Sequence, residues 1–264
     1  MNLNRNVSII VAAVAFVLLT SGTASAVLVS EVGVFNLSAN GGINPVTNAP
    51  WQAGDKFRLA FITSTTRNAT STNINDYNAF VQAAANASSL GLGAASWKAI
   101  ASTETVNARV NTSTTGTGGE AIFKVDGVSK VADNYGDLWN GLAFNTTDQL
   151  LSQAPNLNEN GVFLSRSAFA GTSPSGATVV DRWLGTVNIS NNALRVETGL
   201  STPNSTGRWI QQFNASPTSL LSFYALSDPL TLREATTIPE PATASLALIG
   251  LGGLMMRRRR QTLA

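Results

Sequence analysis

Pro239-Glu240-Pro241 stands directly before an apolar run from Ala242 to Met256, and Arg257-Arg258-Arg259-Arg260 follows that run at the end of the chain. Each proline ring fixes φ and removes a backbone donor, so the tripeptide is stiff, extended and refuses a helix. The three parts read as a recognition sequence, a membrane segment and a stop signal. The apolar run is only about 15 residues long, short of the ~20 that span a bilayer. Lys and Arg favour the cytoplasmic side, so the Arg block stays inside while the body lies outside. A transient anchor, held until an enzyme cuts near the motif, fits this layout, and GPI tails follow the same logic. Whatever folds must therefore fold without this segment.

The other end carries its own address. Arg5 supplies a positive start, Ile9 to Leu19 an apolar stretch, and Ala24-Ser25-Ala26 a small-residue cleavage site. Sec-type machinery is expected to export the chain, and the mature protein to begin at Val27. The expected organisation is a signal peptide over 1–26, one exported domain over 27–237 and a sorting tail over 238–264. About 210 residues remain between the two signals, enough for a single domain with a sizeable core.

Of 17 Lys and Arg, one lies in the signal and four in the tail, and of 15 acidic residues Glu240 lies in the tail, leaving 12 basic against 14 acidic residues. The body is thus near-neutral to acidic, and the clustered basic face of a nucleic-acid binder is not expected. Cysteine and histidine are both absent. Zinc sites draw on those residues, and Ser-His-Asp or Cys-His catalysis is impossible without them. Calcium takes oxygen ligands, and the densest group is Asp133-Asn134-Tyr135-Gly136-Asp137 followed by Asn140. Asp and Asn at a helix start are ordinary caps, and that role is the expectation here; no metal or cofactor is expected. The tryptophans Trp51, Trp97, Trp139, Trp183 and Trp209 can stack on sugars, although core packing is the commoner use.

Along the chain, Val27 to Leu37 reads as a first strand. Lys56 to Thr63 is the clearest strand, with Phe57, Leu59 and Phe61 on one face and Arg58, Ala60 and Ile62 on the other. Thr72 or Asn73 caps a helix from Ile74 to about Leu90, whose apolar face runs through Tyr77, Phe80, Val81, Ala84 and Ala87. A short strand at Ser96 to Ile100 leads to Ser102, which caps a helix over Thr103 to Val110. Glu120 to Val125 and Ser129 to Ala132 form a hairpin about Asp126-Gly127. A last short helix closes at Leu138-Trp139-Asn140-Gly141. In the second half the strand candidates are Gly161 to Ser165, Trp183 to Ile189, Leu194 to Glu197 and Leu220 to Leu226.

From Ile238 to about Gln261 the tail resembles the PEP-CTERM sorting tail of Gram-negative bacteria, through Pro239-Glu240-Pro241, Gly250, Gly252 and Gly253, and the Arg cluster. That resemblance implies processing by an exosortase-like membrane peptidase. From Phe57 to Leu142 the body resembles the endostatin-like branch of the C-type-lectin-like fold. The matching stretches are Tyr77-Asn78-Ala79-Phe80-Val81, Leu90-Gly91-Leu92, Trp97 to Ser102, Ala121-Ile122-Phe123 with Asp126-Gly127, and Asp137 to Gly141; Phe223 to Leu226 sits where that fold places its closing core strand. The implied fold is α+β, a mixed sheet with one long and two short helices. The disulfides of animal members are absent. A β-sandwich is the rival, and the long helix argues against it. Lectins of this fold use a Trp-Asn-Asp tripeptide at a calcium and sugar site; here Gly141 follows Trp139-Asn140, and no Glu-Pro-Asn or Gln-Pro-Asp partner occurs.

The functional expectation is a non-catalytic binding or structural domain, delivered to the envelope or extracellular matrix and partnered by a glycan or other surface polymer. The alternative is a secreted hydrolase using carboxylates alone, which takes two Asp or Glu some ~5–10 Å apart in a cleft. The tail supplies a direct test. Glu240 is the only charge between Glu234 and Arg257. Glu240→Ala, or deletion of Arg257 to Arg260, should leave an unprocessed or mislocalised precursor on immunoblots of fractionated cells. Unchanged size and location would refute the sorting reading.

Overall fold

The computed structural model describes residues 28–34, 41–140, 151–187, 189–190, 193–202 and 208–234. The signal residues Ala24 and Ala26 and the tail residues Pro239, Glu240, Pro241 and Arg257 to Arg260 lie outside these. Among the described residues no helix is long and apolar enough to cross a membrane.

Lys56–Ile62 (β1) alternates Phe57, Leu59 and Phe61 with Arg58, Ala60 and Ile62, and all six are buried. A strand covered on both faces must be apolar nearly throughout, which is why this stretch is so legible. The elements that follow are Ile74–Asn86 (α1), Trp97–Ala99 (β2), Ala108–Asn111 (α2), Ala121–Lys124 (β3), Lys130–Ala132 (β4) and Tyr135–Leu138 (α3). Then come Ser167–Phe169 (β5), Val196–Leu200 (β6), Phe213–Ala215 (β7), Ser222–Ser227 (β8) and Leu230–Thr231 (β9). Among the described residues nine strands form one mixed sheet in the order β7-β6-β5-β8-β1-β3-β4, with β2 also pairing β8 and β9 also pairing β1. The β1–β3 and β5–β8 pairs are parallel and the others antiparallel. The architecture is α+β, with one long helix and two α-helices of four residues among the described residues.

The sheet separates two cores. On one face Phe57, Leu59, Phe61, Phe123, Phe169 and Phe223 pack beneath Tyr77, Val81, Ala84 and Ala85 of α1. Tyr77 stacks on Phe223 with centroids 5.2 Å apart, and Phe61 meets Trp97 edge-on at 4.7 Å, geometries that aromatic quadrupoles favour. On the other face Ala60, Ile62, Ile122, Tyr224 and Leu226 pack against Ile100, Leu138, Trp139 and Trp209.

Helix α1 begins where expected: Asn73 caps it, its side chain accepting from the Asn75 N–H at 3.1 Å. It ends at Asn86, four residues before the expected Leu90. Ser88 Oγ donates to the Glu159 carbonyl, and Ser89 donates through N–H and Oγ to Asn160 Oδ1, so the chain turns away to meet that loop. The helix also finishes the sheet. Asn78 Oδ1 accepts from Ala99 N–H at 2.9 Å and Gln82 Oε1 from Trp97 N–H at 2.8 Å. These two amides, one turn apart, stand in for a neighbouring strand along β2.

Other expectations are corrected. Val27 to Leu37 is no single strand; Leu28–Ser30 turns back on Gly33–Val34. The helix expected over Thr103 to Val110 starts only at Ala108, because Leu184 N–H donates to the Ser102 carbonyl and Thr103 bridges Leu184, which keeps the chain extended there. Ser102 Oγ still accepts from Ala108 N–H at 2.9 Å. Gly161 to Ser165 is not a strand: Gly161 has φ +76° and Val162 and Phe163 are exposed. Trp183 to Ile189 contributes only the Leu184 bridge and the start of a two-residue strand. The strands β5 and β7 were not foreseen.

Burial ranks the aromatic side chains. Phe61→Ala should cost about 3–5 kcal/mol in urea unfolding. Phe80 is half-buried at the core's rim, in edge contact with Phe223 at 5.7 Å, and Phe80→Ala should cost about 1–2 kcal/mol. Equal costs would contradict this placement of α1.

Candidate functional site

At the outer end of the sheet β6 and β7 pair antiparallel with Glu197 opposite Asn214. Directly opposed residues share a face, so carboxylate and carboxamide project together. Gly199, two residues further along that face, carries no side chain for a physical reason: a Cβ there would lie 1.6 Å from the Trp209 carbonyl oxygen. Its bareness lets the chain at Arg208 to Gln212 cross β6, with Arg208 O accepting from Leu200 N–H at 3.2 Å and Thr198 O from Gln212 N–H at 2.8 Å. That crossing delivers Gln211 and Gln212. Arg182 arrives from the preceding loop; its carbonyl accepts from Glu197 N–H at 2.9 Å and its Nη1 lies 3.3 Å from Glu197 Oε2.

The result is a cleft of ≈ 510 Å³ lined by Arg182, Glu197, Gln211, Gln212, Phe213 and Asn214. Glu197 is 2 % exposed, and burial pushes its carboxyl above the ordinary carboxylate range, opposed by Arg182 and by a hydrogen bond from Gln211. Gln212 is 7 % exposed, yet among the described residues its Oε1 finds no hydrogen-bond donor. Phe213 is 57 % exposed. The cleft therefore offers an unsatisfied acceptor, a buried carboxylate paired with a partly exposed Arg182, further amides and the exposed Phe213. Chemically it can bind and orient a hydroxylated ligand. Among its described lining residues Glu197 is the one carboxylate.

The residues singled out in the sequence have other work. Asn134 Oδ1 accepts from Asp137 N–H at 2.9 Å and caps α3. Asp137 accepts from Asp133 N–H at 2.8 Å and from Asn140 Nδ2 at 3.1 Å, while Lys130 Nζ lies 2.6 Å from Asp133 Oδ1. Burial raises the Asp137 carboxyl above its ordinary range. The group is a cap network, and among the described residues no cluster of three or more acidic side chains is placed to hold a metal. Trp139 is a core residue whose Nε1 donates to Thr114 Oγ1 at 2.8 Å. Trp51, Trp97 and Trp209 are buried too, and Trp183 is half-buried. The sequence reading missed every lining residue of the cleft. Glu197 closed a strand candidate, and Gln211-Gln212-Phe213-Asn214 is an amide-rich run around an aromatic; nothing in their spacing joins the two.

Residues 237–260 match the family described as the PEP-CTERM protein-sorting motif. This span contains Pro239, Glu240, Pro241 and Arg257 to Arg260, and it marks an exported protein sorted by an exosortase to the cell envelope or extracellular space. No curated protein matches the chain.

Glu197 makes the cleft's electrostatics measurable. Its native carboxyl holds a proton above the usual 4.5, so above that pH the native state binds a proton that the unfolded chain has released. Stability then falls as pH rises from 4.5 through the raised native value. Glu197→Gln removes this contribution. Urea midpoints across that range should therefore decline more steeply for wild type than for the variant, and parallel curves would refute it.

Proposed function

We propose that this protein is a non-catalytic glycan-binding domain of the cell envelope or extracellular matrix, with the cleft between β6, β7 and Arg182 as its binding site. The observation that carries the reading is the buried Oε1 of Gln212, unpartnered among the described residues, next in sequence to an exposed Phe213. An acceptor left unsatisfied in a buried site costs about 1–3 kcal/mol. A ligand hydroxyl donating to it relieves that cost, and the electron-rich ring face of Phe213 suits the C–H face of a sugar. Arg182, Gln211 and Asn214 supply further donors for ring and hydroxyl oxygens. A concave site with few convergent polar groups is the usual form of a small-ligand site.

The element order supports placing the domain in the endostatin-like branch of the C-type-lectin-like fold: a central strand, a long helix, a short strand, a Ser102-anchored turn, a hairpin, a helix ending at Trp139, and β8 closing beside β1. On this reading the sugar site lies at the sheet edge and needs no calcium. The tail acts as a transient inner-membrane anchor until exosortase releases the body. Hydrolysis by paired carboxylates is the second reading, and the single carboxylate among the described lining residues weighs against it.

Glycan-array screening of the purified exported protein, followed by calorimetry on the best oligosaccharide, tests the proposal. Binding should persist in a chelator, and Phe213→Ala and Gln212→Leu should each weaken it about tenfold, equivalent to ~1.4 kcal/mol. Absence of any glycan partner, affinity indifferent to both variants, or cleavage of the bound oligosaccharide would overturn it.

A further inference from the structure

Lys124 ends β3 on the second face of the sheet and is 4 % exposed. Its Nζ donates to Gln153 Oε1 at 2.6 Å and to Asn156 Oδ1 at 2.7 Å. Among the described residues it forms no ion pair, although lysines are almost never fully buried unless paired. Asn156 is itself 5 % exposed, and its carbonyl is fixed by Leu164 N–H at 2.8 Å. Ile122 precedes Lys124 on the same face, and Val131, Leu151 and Ala154 belong to the same core. An amine is thus pressed against a carboxamide in a largely dry enclosure. Burial lowers the ammonium's pKa, with Asp126 opposing, which brings the nucleophilic free amine within reach.

We propose that Lys124 and Asn156 join through an intramolecular isopeptide bond. The neutral Nζ attacks Cγ of Asn156 and a new C–N bond forms. A proton passes from Nζ to the departing nitrogen, the Cγ–Nδ2 bond breaks, and ammonia leaves. No electrons are transferred and no co-reactant is consumed. Holding the two groups in contact turns an otherwise slow aminolysis into a unimolecular step. Gln153 accepts from the same nitrogen and steadies it; its own carboxamide lies on an exposed residue, so Asn156 is the partner that the core immobilises. The bond spans 32 positions of sequence and ties β3, next to one end of the sheet, to the segment crossing its second face. In a chain without cysteine it takes the place of a disulfide, restricting the unfolded state.

Intact-mass measurement and peptide mapping of the purified, processed protein decide the matter. The expected mass is that of the processed sequence less one ammonia, with trypsin failing to cut after Lys124 and a branched peptide joining Lys124 to Asn156. Lys124→Arg keeps the charge, lacks the reactive amine and should show the full mass. Asn40, Asn140 and Asn160 each precede glycine and also lose ammonia if they cyclise to succinimides. Ammonia loss that persists in Lys124→Arg therefore overturns the proposal, as does a full-mass wild type or a branch mapped to Gln153.

Discussion

Strands β1 and β8 lie side by side with both faces covered, so a charge that enters them needs partners inside the protein. Arg58 is the severest case. Its Nε lies 3.3 Å from Glu120 Oε2, and its Nη1 donates to the carbonyls of Thr112 at 2.8 Å and Ser227 at 3.1 Å. The guanidinium sits 5.0 Å above the Tyr135 ring, whose hydroxyl donates to the same Glu120 carboxylate. One buried cation thus gathers the end of α2, the entry to β3, the start of α3 and the end of β8. Burial draws its pKa down and Glu120 opposes the effect. Losing one partner of such a group typically costs about 3–5 kcal/mol, because the other charge is left buried alone. The cluster fixes which loops meet on the second face.

Without disulfides, the remaining tertiary joints are made by side-chain amides and hydroxyls. Asn78 and Asn111 exchange hydrogen bonds at 2.9 Å while Asn111 Nδ2 donates to the Ala99 carbonyl at 2.7 Å. Glu159, from the loop beside α1, accepts from the backbone and hydroxyl of Ser64. The abundance of Asn, Ser and Thr thus has a structural use: these groups satisfy backbone at strand ends and loop crossings where no regular ladder continues.

The cleft occupies the other extreme of the sheet. The centre is held by two cores, so the edge can carry features that cost stability: a carboxylate with a raised pKa, an amide oxygen without a partner among the described residues, and an exposed ring. All three depend on Gly199, which lets one segment of chain cross another. The sorting tail is a separate device, read in its own right by the export pathway, and it delivers this edge to the outside of the cell.

Wherever the local pattern alone decided the structure, the sequence was legible. The alternation in Lys56 to Thr63 required a strand buried on both faces; Asn73 and the spacing of Tyr77, Val81 and Ala84 required α1; Asp126-Gly127 required the β3–β4 turn; and the sorting motif was legible in residues 237–260. Long-range contacts decided the rest. The Ser102–Leu184 pairing delayed α2, Ser88 and Ser89 shortened α1 by bonding to a distant loop, and the three-residue strands β5 and β7 exist only because neighbours in the sheet satisfy their backbones. The cleft is the clearest instance: Arg182, Glu197 and Gln212 carry no mutual signal in sequence, since burial and orientation, which set their chemistry, arise only when the chain crosses over Gly199.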